Sequence, residues 1–157
     1  MSTLAVYDCM LFFRAASRPN RVRPLFDLVH NGDVTLCFGP DVLAEIRDVL
    51  TRPKLIAKYP ALTPEAVDAF LAQHLRVATW VTDVPEHFVL SRDPKDSKYL
   101  NLAITAGAPY VVTTDLDLLD LMTSQDPEAV DFRARFPTVK CLDPATFEAT
   151  VRQAGSP

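Results

Sequence analysis

The sequence predicts an α/β domain built on a mostly parallel sheet. Three observations carry that expectation. Short apolar runs at residues 4–7, 34–38 and 110–113 read as buried strands. Segments with helical spacing lie between them, and Pro, Gly and Asp mark the boundaries. Strands that alternate with helices favour a parallel sheet with helices on both faces. In such sheets ligands bind beyond the carboxyl ends of the strands. The chain has 157 residues, one domain's worth and long enough to bury roughly two-thirds of its unfolded surface. We expect a single domain over residues 1–150 and a flexible tail over 151–157.

The elements follow in order. Residues 4–7 form the first strand. Residues 23–31 form a helix with Leu25, Phe26, Leu28 and Val29 on one side and Gly32 as its stop. Residues 34–38 are a second strand. Gly39, Pro40 and Asp41 then open a helix to Thr51, since Pro suits the first helical position and an acid the first turn; Arg52 and Pro53 end it. Thr63, Pro64 and Glu65 begin another helix, in which Val67, Phe70, Leu71, His74 and Leu75 recur on one face. Residues 80–81 read as a short strand. Asp93 and Pro94 start a helix that reaches Ala106 and stops at Gly107. A strand at 110–113 precedes a short helix at 116–122, and a last strand at 139–142 precedes a helix capped by Asp143 and Pro144. The least ordered segments are expected at 18–21, at 124–127 and after Gln153.

Composition narrows the function classes. The chain is 48% hydrophobic and 23% charged with a net charge of −4, which suits a soluble globular protein. That balance excludes strong attraction of polyanions by the whole surface but leaves room for a local basic patch. Cys9, Cys37 and Cys141 are odd in number and lack CxxC spacing, against both zinc and a disulfide framework. They read as buried apolar residues in a reducing compartment. The first residues lack a basic segment, and Asp8 interrupts their apolar run, so no signal peptide is expected. No stretch approaches the ~18 apolar residues of a membrane span. A cytoplasmic location without membrane contact is expected.

Four acids stand where a site should be. Asp8 follows the first strand, and Asp115 follows the 110–113 strand, so both belong to the same sheet edge. Asp96 shares a helix face with Tyr99, Leu100 and Ala103, while Ser97 and Lys98 are expected to point elsewhere. Glu45 lies at the margin of the stripe formed by Leu43, Ile46 and Leu50, with Asp48 on the solvent side. Each acid also has an ordinary structural role. Asp93 and Asp96 fit a helix cap, Asp8 a turn, Asp115 another cap, and Glu45 a solvated helix acid. Carboxylates that converge repel one another, and a divalent cation removes that repulsion. Mg²⁺ and Mn²⁺ prefer such hard oxygen ligands.

Asp8 after strand one, "GPDVLAEIRDVLTRPKL" at 39–55, "DPKDSKYLNLAITAGAPYVVTTDLDLL" at 93–119 and "VKCLDPATF" at 139–147 resemble a PIN domain. More narrowly, they resemble PIN proteins that are toxin components of toxin–antitoxin systems, related to the VapC ribonucleases. The likeness spans nearly the whole chain, and its most specific part is the DPxD–helix–strand–[ST]xD segment. It implies a PIN-like three-layer α/β/α fold with a central, mostly parallel sheet and Mg²⁺- or Mn²⁺-dependent hydrolysis of RNA. Carried over by position, the family's catalytic and metal-binding acids fall on Asp8, Glu45, Asp96 and Asp115, with Asp8 and Asp96 as direct ligands. Asp93 and Asp117 match secondary acidic positions. A cognate antitoxin and a homodimer are implied as partners. Three departures stand out: Met10 replaces the polar residue that commonly supports the first acid, Ser97 replaces a second acid after Asp96, and Thr114 replaces a Gly before Asp115.

An acidic pocket repels a polyanion, so its rim should be basic. Arg14, Arg18, Arg21 and Arg23 follow Asp8 with no acid between them, and Arg52, Lys54 and Lys58 form a second basic run. Both runs are candidates for phosphate contacts as well as for ordinary solvated surface. Phe12 and Phe13 suit core packing or an interface better than base stacking. His30, His74 and His87 lack metal-ligand spacing. Two alternatives stay open: a catalytically weak PIN-fold module that binds RNA or protein, which Met10 favours, and another Mg²⁺-dependent phosphoryl-transfer enzyme. Against the second, no DxDx[TV] stretch follows a strand.

Overall fold

The structure, a computed structural model, describes residues 2–155. Strand β1 (Thr3–Tyr7) leads into α1 (Cys9–Ser17) and α2 (Pro19–His30), then β2 (Val34–Phe38). Helices α3 (Pro40–Leu50), α4 (Pro53–Lys58) and α5 (Pro64–Leu75) precede the two-residue β3 (Thr79–Trp80). After an irregular stretch, a 3-10 turn (Pro94–Asp96) opens α6 (Ser97–Ala106), which returns to β4 (Tyr110–Val112). Helix α7 (Leu116–Leu119), a second 3-10 turn (Asp120–Met122), α8 (Pro127–Arg135), β5 (Lys140–Leu142) and α9 (Pro144–Ala154) complete the chain.

The five strands pair in the order β3-β2-β1-β4-β5, every pair parallel, with helices packed on both faces as expected for the three-layer α/β/α fold. The chain steps from β1 through β2 to β3 in one direction, then crosses back to lay β4 on the other side of β1. The register pairs Ala5 with Leu36 on one side and Tyr7 with Val112 on the other. That reversal opens a crevice beyond the carboxyl ends of β1 and β4. Asp8 and Asp115 follow those two ends.

Both faces of the central strands are covered, which is why their sequences are apolar throughout rather than alternating. Ala5, Val6, Tyr7, Val111 and Val112 are all buried. Tyr7 packs edge-on against Phe26 and Phe147 and donates its hydroxyl to the Leu25 carbonyl at 3.0 Å, so its polar end is satisfied inside the core. Phe12 is buried against Phe26 and Phe38, and Phe13 packs on Tyr59. All three cysteines are free and buried.

Three helices were not anticipated, and each has a local cause. Helix α1 begins at Asp8, whose side chain accepts the Leu11 N–H; its run of apolar residues hides helical periodicity at the sequence level. Helices α4 and α8 each open with Pro at the first helical position, at Pro53 and Pro127. At Pro53 the stop of one helix is also the start of the next. The segment 18–21, expected to be irregular, carries the start of α2, with Pro19 in the same role. Of residues 124–127, the first three lie between the second 3-10 turn and α8, where Asp126 caps that helix through the Ala129 N–H, and Pro127 opens it. The expected tail is helical as far as Ala154, with Val151 buried; residues 156–157 lie outside the described residues. No helix among the described residues is long and apolar enough to cross a membrane.

Candidate metal centre

Asp8 ends β1 and caps α1 in one residue. Its Oδ1 accepts the Leu11 N–H at 3.2 Å and its Oδ2 accepts the Thr113 hydroxyl proton. Burial pushes its carboxyl above the usual range, and the Thr113 and backbone hydrogen bonds pull it back. Thr113 is fully buried and does a second thing: its Oγ1 accepts the Asp115 N–H at 2.9 Å. One hydroxyl thus ties the first acid to the loop that carries the last. Thr113 is not among the residues the sequence marks for the site; its signal is an apolar strand ending in two threonines before an Asp.

Asp115 caps α7 by accepting the Asp117 N–H at 2.8 Å. Asp93 precedes the 3-10 turn that ends at Asp96. One carboxylate oxygen from each of Asp93, Asp96 and Asp115 lies within 4.8 Å of the other two, and all three residues are half-buried. The crowding shows in Asp96, whose carboxyl is pushed up to about 8, first by burial and then by Asp115, Asp93 and Glu45. Asp93, expected as a secondary acid, therefore stands in the cluster itself. Asp117, the other secondary position, turns toward Arg92, 3.6 Å away, which also pairs with Asp120 at 3.2 Å.

Glu45 does not join the three. Its Oε2 meets the Lys98 ammonium, and its Oε1 accepts from the Tyr99 hydroxyl at 2.7 Å and the Cys9 thiol at 3.2 Å. Burial raises its carboxyl, but Lys98, Tyr99 and Cys9 outweigh that and hold it below the usual range. Lys98 thus corrects the expectation that it points away. Helix face sets where a side chain starts, but the long lysine stem reaches from α6 across to α3. Ser97 does turn elsewhere: its Oγ accepts the Leu90 N–H at 2.8 Å and fastens the preceding loop. Cys9 donates its backbone N–H to Tyr99 Oη at 3.2 Å, and burial pushes its thiol up to about 12; such a thiol is no thiolate ligand.

Part of the basic set lies together. Arg14, Arg18 and Arg21 line one groove of about 300 Å³ with Lys58, Met10, Phe13, Leu55 and Tyr59. Arg18 Nε donates to the Tyr59 hydroxyl at 3.1 Å. Arg23 lies outside that groove and bonds Asn20, Arg52 pairs with Asp48 one helical turn away, and Lys54 is exposed at the start of α4.

The donor set decides what the centre fits. Three carboxylate oxygens close together and half-buried suit a hard divalent ion such as Mg²⁺ or Mn²⁺. The described histidines and cysteines contribute nothing to it.

The fold and the sequence also compare with known proteins. The chain aligns, at TM-score 0.54 and 14% identity, with a chain of the crystal structure of VapBC2 from Rickettsia felis bound to a DNA fragment from their promoter, over 90% of this chain and 98% of that one. At that identity the likeness is one of fold. No curated protein matches the chain in sequence. The sequence profile of the PIN domain matches residues 4–117, a span that contains both strand ends, Glu45 and the three clustered acids, and the chain belongs to the PIN domain family.

Proposed function

We propose that the protein is a metal-dependent endoribonuclease whose centre uses Asp8, Glu45, Asp96 and Asp115, with Asp93 as an added ligand. The observation that carries this reading is the convergence of Asp93, Asp96 and Asp115 at the sheet's switch point, with Asp96 pushed up to about 8 by burial and then by Asp115, Asp93 and Glu45. Asp93, Asp96 and Asp115 would hold Mg²⁺ or Mn²⁺. The ion, when bound, supplies a Lewis acid for a scissile phosphodiester and an attacking water. The chain's own groups do the rest. Thr113 fixes the orientation of Asp8 and the Asp115 backbone together. Tyr99 and Cys9 fix Glu45. Arg14, Arg18 and Arg21, with Lys58, offer phosphate contacts that offset the repulsion between an acidic centre and a polyanion. Arg23, Arg52 and Lys54 would add contacts outside that groove.

The test is cleavage of a mixed structured RNA by purified protein with Mg²⁺, with Mn²⁺ and with EDTA, beside Asp96→Asn. Cutting that needs the metal and vanishes in the variant is expected. Cutting that survives in Asp96→Asn would remove the centre from this account.

The likeness to a chain of a VapBC2 structure supports a finer reading, that the protein is a toxin held by an antitoxin; a cytoplasmic location and a homodimer are proposed with it from the family resemblance. Growth arrest on expression, relieved by the product of a neighbouring small gene, is the expected result; no arrest would argue for housekeeping RNA processing. A second reading, a catalytically weak module that binds RNA or protein, is favoured by Met10. This residue is 41% exposed and stands, without a polar group, two residues after Asp8.

A further inference from the structure

We propose that the Lys98 ammonium is a resident cation that fills the Glu45 side of the carboxylate site, so that the chain takes one divalent ion, at Asp93, Asp96 and Asp115, rather than two. This rests on the metal-centre reading above and adds the ion count and a role for a lysine.

Lys98–Glu45 is the most enclosed ion pair among the described residues, with side chains 23% and 19% exposed, against 31–69% in the other six. A pair this sheltered is less screened than surface pairs, and removing one partner leaves the other charge poorly compensated. Glu45 has no oxygen to spare: Lys98 holds Oε2, and Tyr99 and Cys9 hold Oε1. Asp8 is equally occupied by the Leu11 N–H and the Thr113 hydroxyl. A two-ion centre needs ions about 3.5–4 Å apart, which requires shared carboxylates on both sides. Here the three oxygens of Asp93, Asp96 and Asp115 form one side, and the protein's own ammonium stands on the other.

Cys9 directly follows Asp8 and donates its thiol to Glu45 Oε1 at 3.2 Å, so one residue links the strand that ends in Asp8 to the Glu45–Lys98 pair. With the ammonium gone, Glu45 Oε2 would be a half-buried carboxylate oxygen without a cation beside it, open to a second hard ion. An ammonium differs from an ion in one practical respect: it cannot be stripped by a chelator.

The experiment is titration of the full chain with Mn²⁺, with free aqueous Mn²⁺ read by electron paramagnetic resonance and folding checked by circular dichroism. Wild type is expected to bind one Mn²⁺ per chain and Asp96→Asn none over the same range. Lys98→Met is expected to bind two, and Lys98→Arg, which keeps the charge, one. Glu45→Gln added to Lys98→Met should return the count to one. Two ions in wild type, or one in a folded Lys98→Met chain, would overturn the proposal while leaving the metal centre intact. No ion in wild type would instead overturn the metal-centre reading and the proposal with it.

Discussion

Thr113 shows how much one buried hydroxyl can hold. It donates to Asp8 and accepts from the Asp115 backbone, so Thr113→Val, nearly the same shape, takes a hydrogen bond from a buried carboxylate and the side-chain acceptor from a backbone N–H. The loss should cost about 1–3 kcal/mol in denaturant unfolding and, if Asp8 serves the centre, ~10–100-fold in metal affinity or RNA cleavage. An unchanged denaturation midpoint would show that water replaces the hydroxyl. His74 gives a pH signature independent of the site. It is buried among Phe12, Phe26 and Phe70 and stacked on His30, and burial, then His30, lowers it to about 4 from 6.5. Between those values the unfolded chain binds the proton and the folded chain does not. Stability from this group is therefore complete above about pH 6.5 and lost as pH falls toward 4. Thermal melts of wild type should fall across that window, and His74→Phe should flatten the fall.

The helix ends carry most of what the sequence made legible. Gly107 was expected to stop its helix, and it does so in the left-handed region at φ 69°. An added Cβ there meets nothing within 4 Å, so Gly107→Ala should cost about 1–2 kcal/mol from backbone conformation alone; a neutral result in chemical denaturation would mean the turn relaxes. Asp143 caps α9 through the Thr146 N–H and hydroxyl, also as expected, and Asp143→Ala should cost about 1 kcal/mol. Strand positions were legible because a doubly covered sheet needs unbroken apolar runs. Helices α1, α4 and α8 were not, because Pro53 reads equally as stop and start, and because CMLFF reads equally as strand and helix. At the site, sequence position placed Asp8 and Asp115 at one sheet edge and Asp96 on the inward face of its helix. It did not show that Asp93 joins the cluster or that Lys98 captures Glu45. Those facts depend on the 3-10 turn at Pro94–Asp96 and on a side chain long enough to cross between α6 and α3.

At the scale of the whole molecule, the switch in strand order makes the site. Because β1 lies between β2 and β4, the crevice beyond β1 and β4 gathers residues from distant parts of the chain: Asp8, Asp93, Asp96 and Asp115 around it, Glu45 and Lys98 beside it. Burial, and then the neighbouring Asp115, Asp93 and Glu45, push the Asp96 carboxyl up to about 8. The account's central claim is that this crevice is a divalent-metal centre. Anomalous diffraction from a crystal soaked in Mn²⁺ tests it most directly. The account predicts a peak among Asp93, Asp96 and Asp115 that disappears with EDTA and is missing in Asp96→Asn crystals. A peak elsewhere, or none at saturating Mn²⁺ in a crystal where the three carboxylates are unobstructed, would contradict it.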